Sequence, residues 1–178
     1  FEEGVVHESF NYAALMGLPV IFVCENNEYS VYTHLKSRQP DRPMNKIAEA
    51  HGWEVATGNG NDLKQVAEIS LQAVSRVRTN GCPQFLEFDT YRWIEHCGPN
   101  DDDHLDYRPP DQVASWKKKC PVKHMETQLL SDKIITQKDL DSYRQSIMDE
   151  IELSFKFAQA SPFPSPESLY QFSNTVSS

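Results

Sequence analysis

Hydrophobic and polar positions alternate with two different periods along this chain, and the switches between them predict its elements. From Gly4 to Met16 the apolar residues Val6, Phe10, Ala13 and Ala14 recur at helical spacing, and Gly17 follows where a left-handed C-cap belongs. Pro19-Val20-Ile21-Phe22-Val23-Cys24 is an unbroken apolar run rich in β-branched residues, which predicts a parallel strand buried on both faces and ending at Glu25-Asn26-Asn27. Residues 28–43 carry prolines and no sustained period and are read as a long loop at the end of that strand. A short helix is expected over Met44 to His51 and a strand over Trp53 to Ala56. Gly58-Asn59-Gly60-Asn61 reads as a turn delivering Asp62 as an N-cap. The helix after it carries a stripe of Leu63, Val66, Ala67, Leu71, Val74 and Val77, and Asn80-Gly81 closes it. Gln84 to Asp89 alternates polar with apolar, as a strand near a sheet edge does.

Helix and strand thus alternate three times with short connections. That order predicts right-handed crossovers and an α/β fold with a doubly wound, mostly parallel sheet. Ligands in such folds sit beyond the carboxyl ends of the strands. Two unusual polar clusters, Glu25-Asn26-Asn27 and His96-Cys97-Gly98-Pro99-Asn100, lie just there. The remainder is helical, with one segment from Asp111, one after Pro121, and a long one opened by Thr136 with Asp139 as its capping-box partner. Leu140, Tyr143, Ile147, Ile151, Phe155 and Ala158 form the last helix's stripe, read as packing. We therefore divide the chain into residues 1–108, an α/β domain; residues 109–161, its helical extension; and residues 162–178, a Pro- and Ser-rich tail.

Composition narrows the partners. A net charge of −9 and a pI near 5.1 disfavour nucleic acid and anionic membranes, which demand clustered Lys and Arg; the basic run Lys117 to Lys119 is read as a solvated helix face. No apolar stretch approaches the roughly 20 residues that cross a bilayer, so a soluble intracellular protein is expected. Cys24, Cys82, Cys97 and Cys120 are widely spaced and indicate neither a zinc site nor a disulfide framework.

Asn26-Asn27 is the candidate chemistry. Amides at the tip of a buried strand either form a turn or offer carbonyl oxygens to a hard cation, with magnesium the obvious choice and the Tyr29 backbone carbonyl a further donor. No G-x-G-x-x-G follows any strand, so a dinucleotide-binding domain lacks support.

The run Gly4-Val5-Val6-His7-Glu8-Ser9-Phe10-Asn11-Tyr12-Ala13-Ala14-Leu15, followed by Leu18 to Asn27, resembles the second half of the thiamine diphosphate motif, which passes from Gly-Asp-Gly through a helix and a strand to Asn-Asn. With Gly58 to Asp62, Thr90-Tyr91-Arg92, the His96 loop and Tyr107-Arg108, the sequence is similar to alpha subunits of pyruvate, branched-chain 2-oxo acid and acetoin dehydrogenase complexes. The resemblance implies a thiamine diphosphate-binding fold and a magnesium ion held by the Asn27 side chain and the Tyr29 carbonyl, with Asn26 supporting the turn. It implies that His96 lies near the diphosphate and the reacting centre; an ordinary surface histidine is the alternative. The implied reaction is oxidative decarboxylation of a pyruvate-like 2-oxo acid with acyl transfer to lipoyl. The implied partners are a beta subunit in an alpha2-beta2 heterotetramer and a lipoyl-bearing acyltransferase, and the compartment is the cytoplasm, or the mitochondrial matrix in a eukaryote.

Two departures accompany the resemblance. The Gly-Asp-Gly half of the motif does not occur, so an upstream portion is expected to precede Phe1, and the chain by itself is expected to bind cofactor weakly and not to catalyse. Cys97 and Asp106 stand where related mammalian enzymes carry phosphorylatable serines, so kinase control of that kind is not expected. Asn100 to His104 is read as flexible surface acid, with calcium binding as the alternative. Other functional readings are a thiamine diphosphate enzyme acting on acetoin or a ketol donor, and a non-catalytic interaction subunit that keeps the fold.

Overall fold

A computed structural model describes residues 1–170. The chain forms two compact units, Phe1–Met125 and Glu126–Ser178. The first unit runs α1 (Gly4–Met16), β1 (Ile21–Asn26), β2 (Tyr29–Ser30), β3 (Thr33–His34), α2 (Met44–Ala50), β4 (Glu54–Asn59), α3 (Leu63–Asn80), β5 (Gln84–Asp89) and α4 (Pro110–Lys117). Helix α5 (Pro121–Ser131) follows, and α6 (Gln137–Ala160) lies in the second unit. The caps explain the boundaries. Gly17 is left-handed at φ 59° and closes α1, while the Asp62 side chain accepts from the Lys64 and Gln65 amides to open α3.

The main sheet is parallel, in the order β1-β5-β4, with Asn26, Asp89 and Asn59 aligned in one row at the carboxyl ends. It is doubly wound. Phe85 of β5 packs with Phe10 and Ala13 of α1, Ala48 of α2 and Trp53, whereas Leu86 and Phe88 pack with Ala73 of α3. Alternate residues of one strand thus feed two cores, as a sheet covered on both faces requires. Aromatic packing holds the first core: Phe10 and Phe22 lie 4.9 and 4.8 Å from Trp53 between ring centroids, and the Trp53 indole N–H donates to the Phe10 carbonyl at 2.9 Å.

Several expectations need correction. The alternation of Gln84 to Asp89 suggested an edge strand, yet β5 is central, with Gln84, Phe85, Leu86, Glu87 and Phe88 all buried. Its polar residues are inside because they find partners: Gln84 Nε2 donates to Glu54 Oε2 at 3.0 Å. Conversely, the apolar run of β1 is at the sheet edge, and Val23 is 56% exposed. On α3 the inward face is Val66, Ile69, Ala73 and Val77; Leu63 and Leu71 of the expected stripe are exposed, because the helical turn carries them off that face. The segment after β1 contains the short β2-β3 hairpin, pairing Tyr29 with His34, and is not a plain loop. Strand β4 continues to Asn59, so the turn begins at Gly60, where a Cβ would come within 2.8 Å of the Asp89 carbonyl oxygen.

The first unit extends beyond residue 108 because α4 supplies partners to the strand ends. Trp116 stacks on Tyr91 at 5.5 Å, and Gln112 accepts from the hydroxyls of Tyr29 and Tyr91 at 3.2 and 3.3 Å. In the second unit, Thr136 and Asp139 form the expected capping box. The α6 stripe is not a packed one: Leu140 is buried, but Tyr143, Ile147, Ile151 and Phe155 are exposed, since no described element covers them. Part of the predicted tail, Pro166–Tyr170, is a 3-10 turn; residues 171–178 lie outside the described residues.

Candidate functional site

Strand β1 ends at Asn26, and the chain then turns sharply. Glu28 and Val31 take left-handed backbone at φ 64° and 54°. Side-chain amides replace the lost ladder bonds: Asn26 Oδ1 accepts from the Glu28 amide at 3.1 Å and Asn27 Oδ1 from the Tyr29 amide at 2.9 Å. Asparagine is suited to both places, having a short side chain with an acceptor that reaches two residues along its own backbone. The Asn26 Nδ2 donates to Glu87 Oε1 at 2.9 Å, and the Asn26 carbonyl accepts from the Thr90 amide at 3.0 Å, so β1 and β5 are tied where they end.

Beside this turn lies a cleft of about 350 Å³, lined by Asn26, Asn27, Tyr29, Arg38, Arg92 and His96 among others, with Leu35, Val31 and Met44 as apolar wall. All three residues singled out from the sequence, Asn27, Tyr29 and His96, border it. His96 reaches it through a loop anchored by arginines. Arg92 donates to the Val31 carbonyl at 2.8 Å and to the Tyr107 hydroxyl at 3.0 Å, and its Nη1 lies 3.2 Å from His96 Nδ1. Arg108 in turn donates to the Arg92 carbonyl and to Asp102 and Asp103.

The acidic segment Asn100 to His104 is therefore not simply flexible surface acid. Asp102 is 1% exposed, pairs with Arg108, and accepts from the Tyr107 hydroxyl at 2.7 Å. A buried carboxylate needs such partners. Burial raises the Tyr107 hydroxyl above its ordinary value, assisted by its bond to Asp102; it raises Tyr91 to about 12. Cys24, also on the cleft, is pushed up to about 11 by burial and then by the charge of Glu87, which leaves it a neutral thiol.

The donors present decide what could be held here. Among the described residues no three His, Cys, Asp or Glu side chains cluster as a metal cage. The Asn27 amide oxygen and the Tyr29 carbonyl are hard neutral oxygens, and Asn27 Oδ1 uses one of its two lone pairs on the Tyr29 amide, leaving the other. That set fits magnesium, which takes few protein oxygens and shares the rest of its octahedron with water and phosphate. Glu2, Glu25 and Glu28 line the cleft beside Arg38, Arg92 and His96, and Arg38 is paired with Glu2, so Arg92 and His96 are the donors left to face an anionic ligand.

Arg92, Arg38 and Glu87 were not foreseen in these places. Arg92 carried a signal, standing just past a strand end in Thr90-Tyr91-Arg92; Glu87 carried none, since it occupies an apparently outward position of an alternating strand.

An α/β chain with a polar cleft at the carboxyl end of one strand of a parallel sheet belongs to the broad class that binds ligands at such ends. Residues 2–167 match the model of the dehydrogenase E1 component family, and the chain belongs to that family. It is 33% identical over 168 residues to the pyruvate dehydrogenase E1 component subunit alpha of Rickettsia bellii, covering 94% of this chain and 51% of that protein. The Rickettsia felis protein of the same name is 34% identical over the same shares, and the mitochondrial one of Dictyostelium discoideum 30% identical over 94% of this chain and 44% of its own length. The chain spans about half the length of the curated relatives it matches. Among solved structures, a transketolase from Campylobacter jejuni aligns with 49% of this chain and 13% of its own, at a TM-score of 0.44 and 22% identity. No helix among the described residues is long and apolar enough to cross a membrane.

Proposed function

We propose that this chain forms part of the alpha subunit of a thiamine diphosphate- and magnesium-dependent dehydrogenase that oxidatively decarboxylates a pyruvate-like 2-oxo acid and passes the acyl group to lipoyl. The observation that carries this reading is the convergence of Asn27, Tyr29, Arg92 and His96 on one cleft at the end of β1, in a chain of the dehydrogenase E1 component family. When bound, thiamine diphosphate supplies the electron sink for breaking the bond to the carboxylate carbon. The protein's part is to hold and orient. Asn27 Oδ1 and the Tyr29 carbonyl would hold magnesium on this chain, and the ion would supply positive charge to offset an anionic diphosphate. Arg92 and His96 line the same cleft and would meet an anionic ligand there, while Val31, Leu35 and Met44 would limit water on the apolar wall. His96 can donate to a developing negative charge on substrate or diphosphate.

The partners under this reading are a beta subunit in an alpha2-beta2 assembly and a lipoyl-bearing acyltransferase, and the compartment is the cytoplasm or, in a eukaryote, the mitochondrial matrix. The test is Asn27→Ala in the full-length subunit assembled with its beta partner. Pyruvate decarboxylation should fall by at least about 100-fold, with partial recovery at raised magnesium; full turnover at ordinary magnesium would refute the assignment.

A further inference from the structure

Glu87 stands out from the described ionisable groups of the first unit. It lies on the central strand, is 9% exposed, and has no cationic partner among the described residues. Each of its oxygens is nevertheless taken: Oε1 accepts from Asn26 Nδ2 at 2.9 Å and Oε2 from the Asn45 amide at 3.2 Å, at the start of α2. A buried carboxylate without a counter-ion is costly and persists where its two acceptors are needed together. Here they fix the orientation of one amide. With Nδ2 held by Glu87, Asn26 can only present Oδ1 to the Glu28 amide, and that bond closes the turn that carries Asn27 and Tyr29.

We propose that Glu87 is a positioning residue for the cation-binding turn, acting through the side-chain amide of Asn26. The inference rests on the reading of Asn27 and Tyr29 as magnesium donors. It explains why a carboxylate, and not an amide, occupies this site. In Glu87→Gln, two N–H donors converge on a group with one acceptor. The variant can satisfy the Asn45 backbone N–H with its oxygen and face Asn26 with its NH2 only if Asn26 flips, which points Nδ2 at the Glu28 N–H, donor against donor; with its oxygen on Asn26 instead, it sets its NH2 against the Asn45 N–H and loses the tie between the turn and α2. Folding is retained and the turn loosens.

Two measurements test this. In the 15N-labelled chain without metal, the Glu28 and Tyr29 amides should exchange with solvent about tenfold faster in Glu87→Gln, while amides in the middle of α3 are unchanged. In the full-length subunit assembled with its beta partner, Mn2+ titrated calorimetrically in the presence of thiamine diphosphate should bind on the order of tenfold more weakly in Glu87→Gln. It should bind equally weakly in Asn26→Ala, and the double variant should be no weaker than either single one. Unchanged exchange and unchanged Mn2+ affinity in Glu87→Gln overturn the proposal, as do additive effects of the two substitutions. Should Glu87→Gln fail to fold, Asn26→Ala decides alone: wild-type Mn2+ affinity there overturns it. Asn27→Ala separates the two levels. If Asn27→Ala leaves Mn2+ binding intact, the cation reading falls and this inference with it; if Asn27→Ala weakens binding and Glu87→Gln does not, only the role of Glu87 falls.

Discussion

The Nη1 of Arg92 sits 3.2 Å from the Nδ1 of His96, on the rim of the cleft at the end of β1. A guanidinium has only donors, so a proton shared across this contact belongs to Arg92 and Nδ1 is the accepting nitrogen. The proton of His96 is then on Nε2. Ring 15N shifts of the labelled chain, with His96 assigned through His96→Gln, should show an unprotonated Nδ1 and a protonated Nε2. In Arg92→Ala the two nitrogens should move toward the values of freely exchanging tautomers. A protonated Nδ1 in the unsubstituted protein would contradict this geometry.

Cys24 faces the same cleft but is chemically quiet. Its thiol is raised from 9.0 to about 11, first by burial and next by the charge of Glu87. The folded state therefore favours the protonated thiol. The stability tied to this group is complete below pH 9 and is lost as pH rises from about 9 through about 11. Iodoacetamide at pH 8 should modify the exposed Cys82 and Cys97 first and Cys24 only after urea unfolding. Early labelling of Cys24, followed by peptide mass spectrometry, would show that the cleft opens at that strand.

Local signals were the ones the sequence displayed clearly. Gly17, Asp62 and the Thr136-Asp139 pair act through bonds to residues two to four positions away, and each ends or opens a helix as its position suggested. The parallel, doubly wound arrangement was legible too, because alternating helix and strand periods admit few topologies. Strand order was not. Glu87 and Gln84 looked outward by their polarity and are buried because Asn26, Asn45 and Glu54 pair with them from distant parts of the chain. Asp102 looked like surface acid for the same reason: its partner, Arg108, satisfies it across a loop whose path no local pattern encodes. Asn27 and Tyr29 were legible as oxygen donors from an Asn-Asn pair at a strand tip, with a plain turn as the alternative, and His96 through family resemblance; the fold brings all three to one cleft, while the arginines that tie the His96 loop down needed three-dimensional contacts to be seen.

At the start of α6, Asp139 is held below its ordinary value of 3.8 by its bonds to the Thr136 hydroxyl and then the Thr136 amide. A depressed folded value means that the capping contribution is present above about 3.8 and disappears as pH falls through the lowered one. Removing the hydroxyl in Thr136→Ala takes away the larger cause. An NMR titration of the Asp139 carboxyl should give a value closer to the ordinary one in that variant, together with faster exchange of the first-turn amides of α6. Identical titrations in both proteins would mean that the capping box is not formed in solution.

The Asp102–Arg108 pair is the costliest one to break. Both side chains are 2% exposed, and Asp102 also accepts from Tyr107, which holds Arg92 and so the His96 loop. Asp102→Ala leaves the buried guanidinium with the Arg92 carbonyl and, as its remaining carboxylate among the described residues, Asp103 at 2.9 Å. Breaking a buried pair from one side costs about 3–5 kcal/mol, and the surviving Asp103 contact places the loss at about 3 kcal/mol. Arg108→Met, which strands Asp102 instead, should cost at least as much, because no second cation pairs with Asp102 among the described residues. Combining Asp102→Leu with Arg108→Met removes both charges and should cost less than the sum of the single changes. Urea unfolding followed by fluorescence reads this directly, since Trp53, Trp93 and Trp116 all lie in the Phe1–Met125 unit. A loss below about 1 kcal/mol for Asp102→Ala, the size of a solvent-exposed pair, would mean that water reaches this arginine in solution and that the His96 loop is not anchored through it.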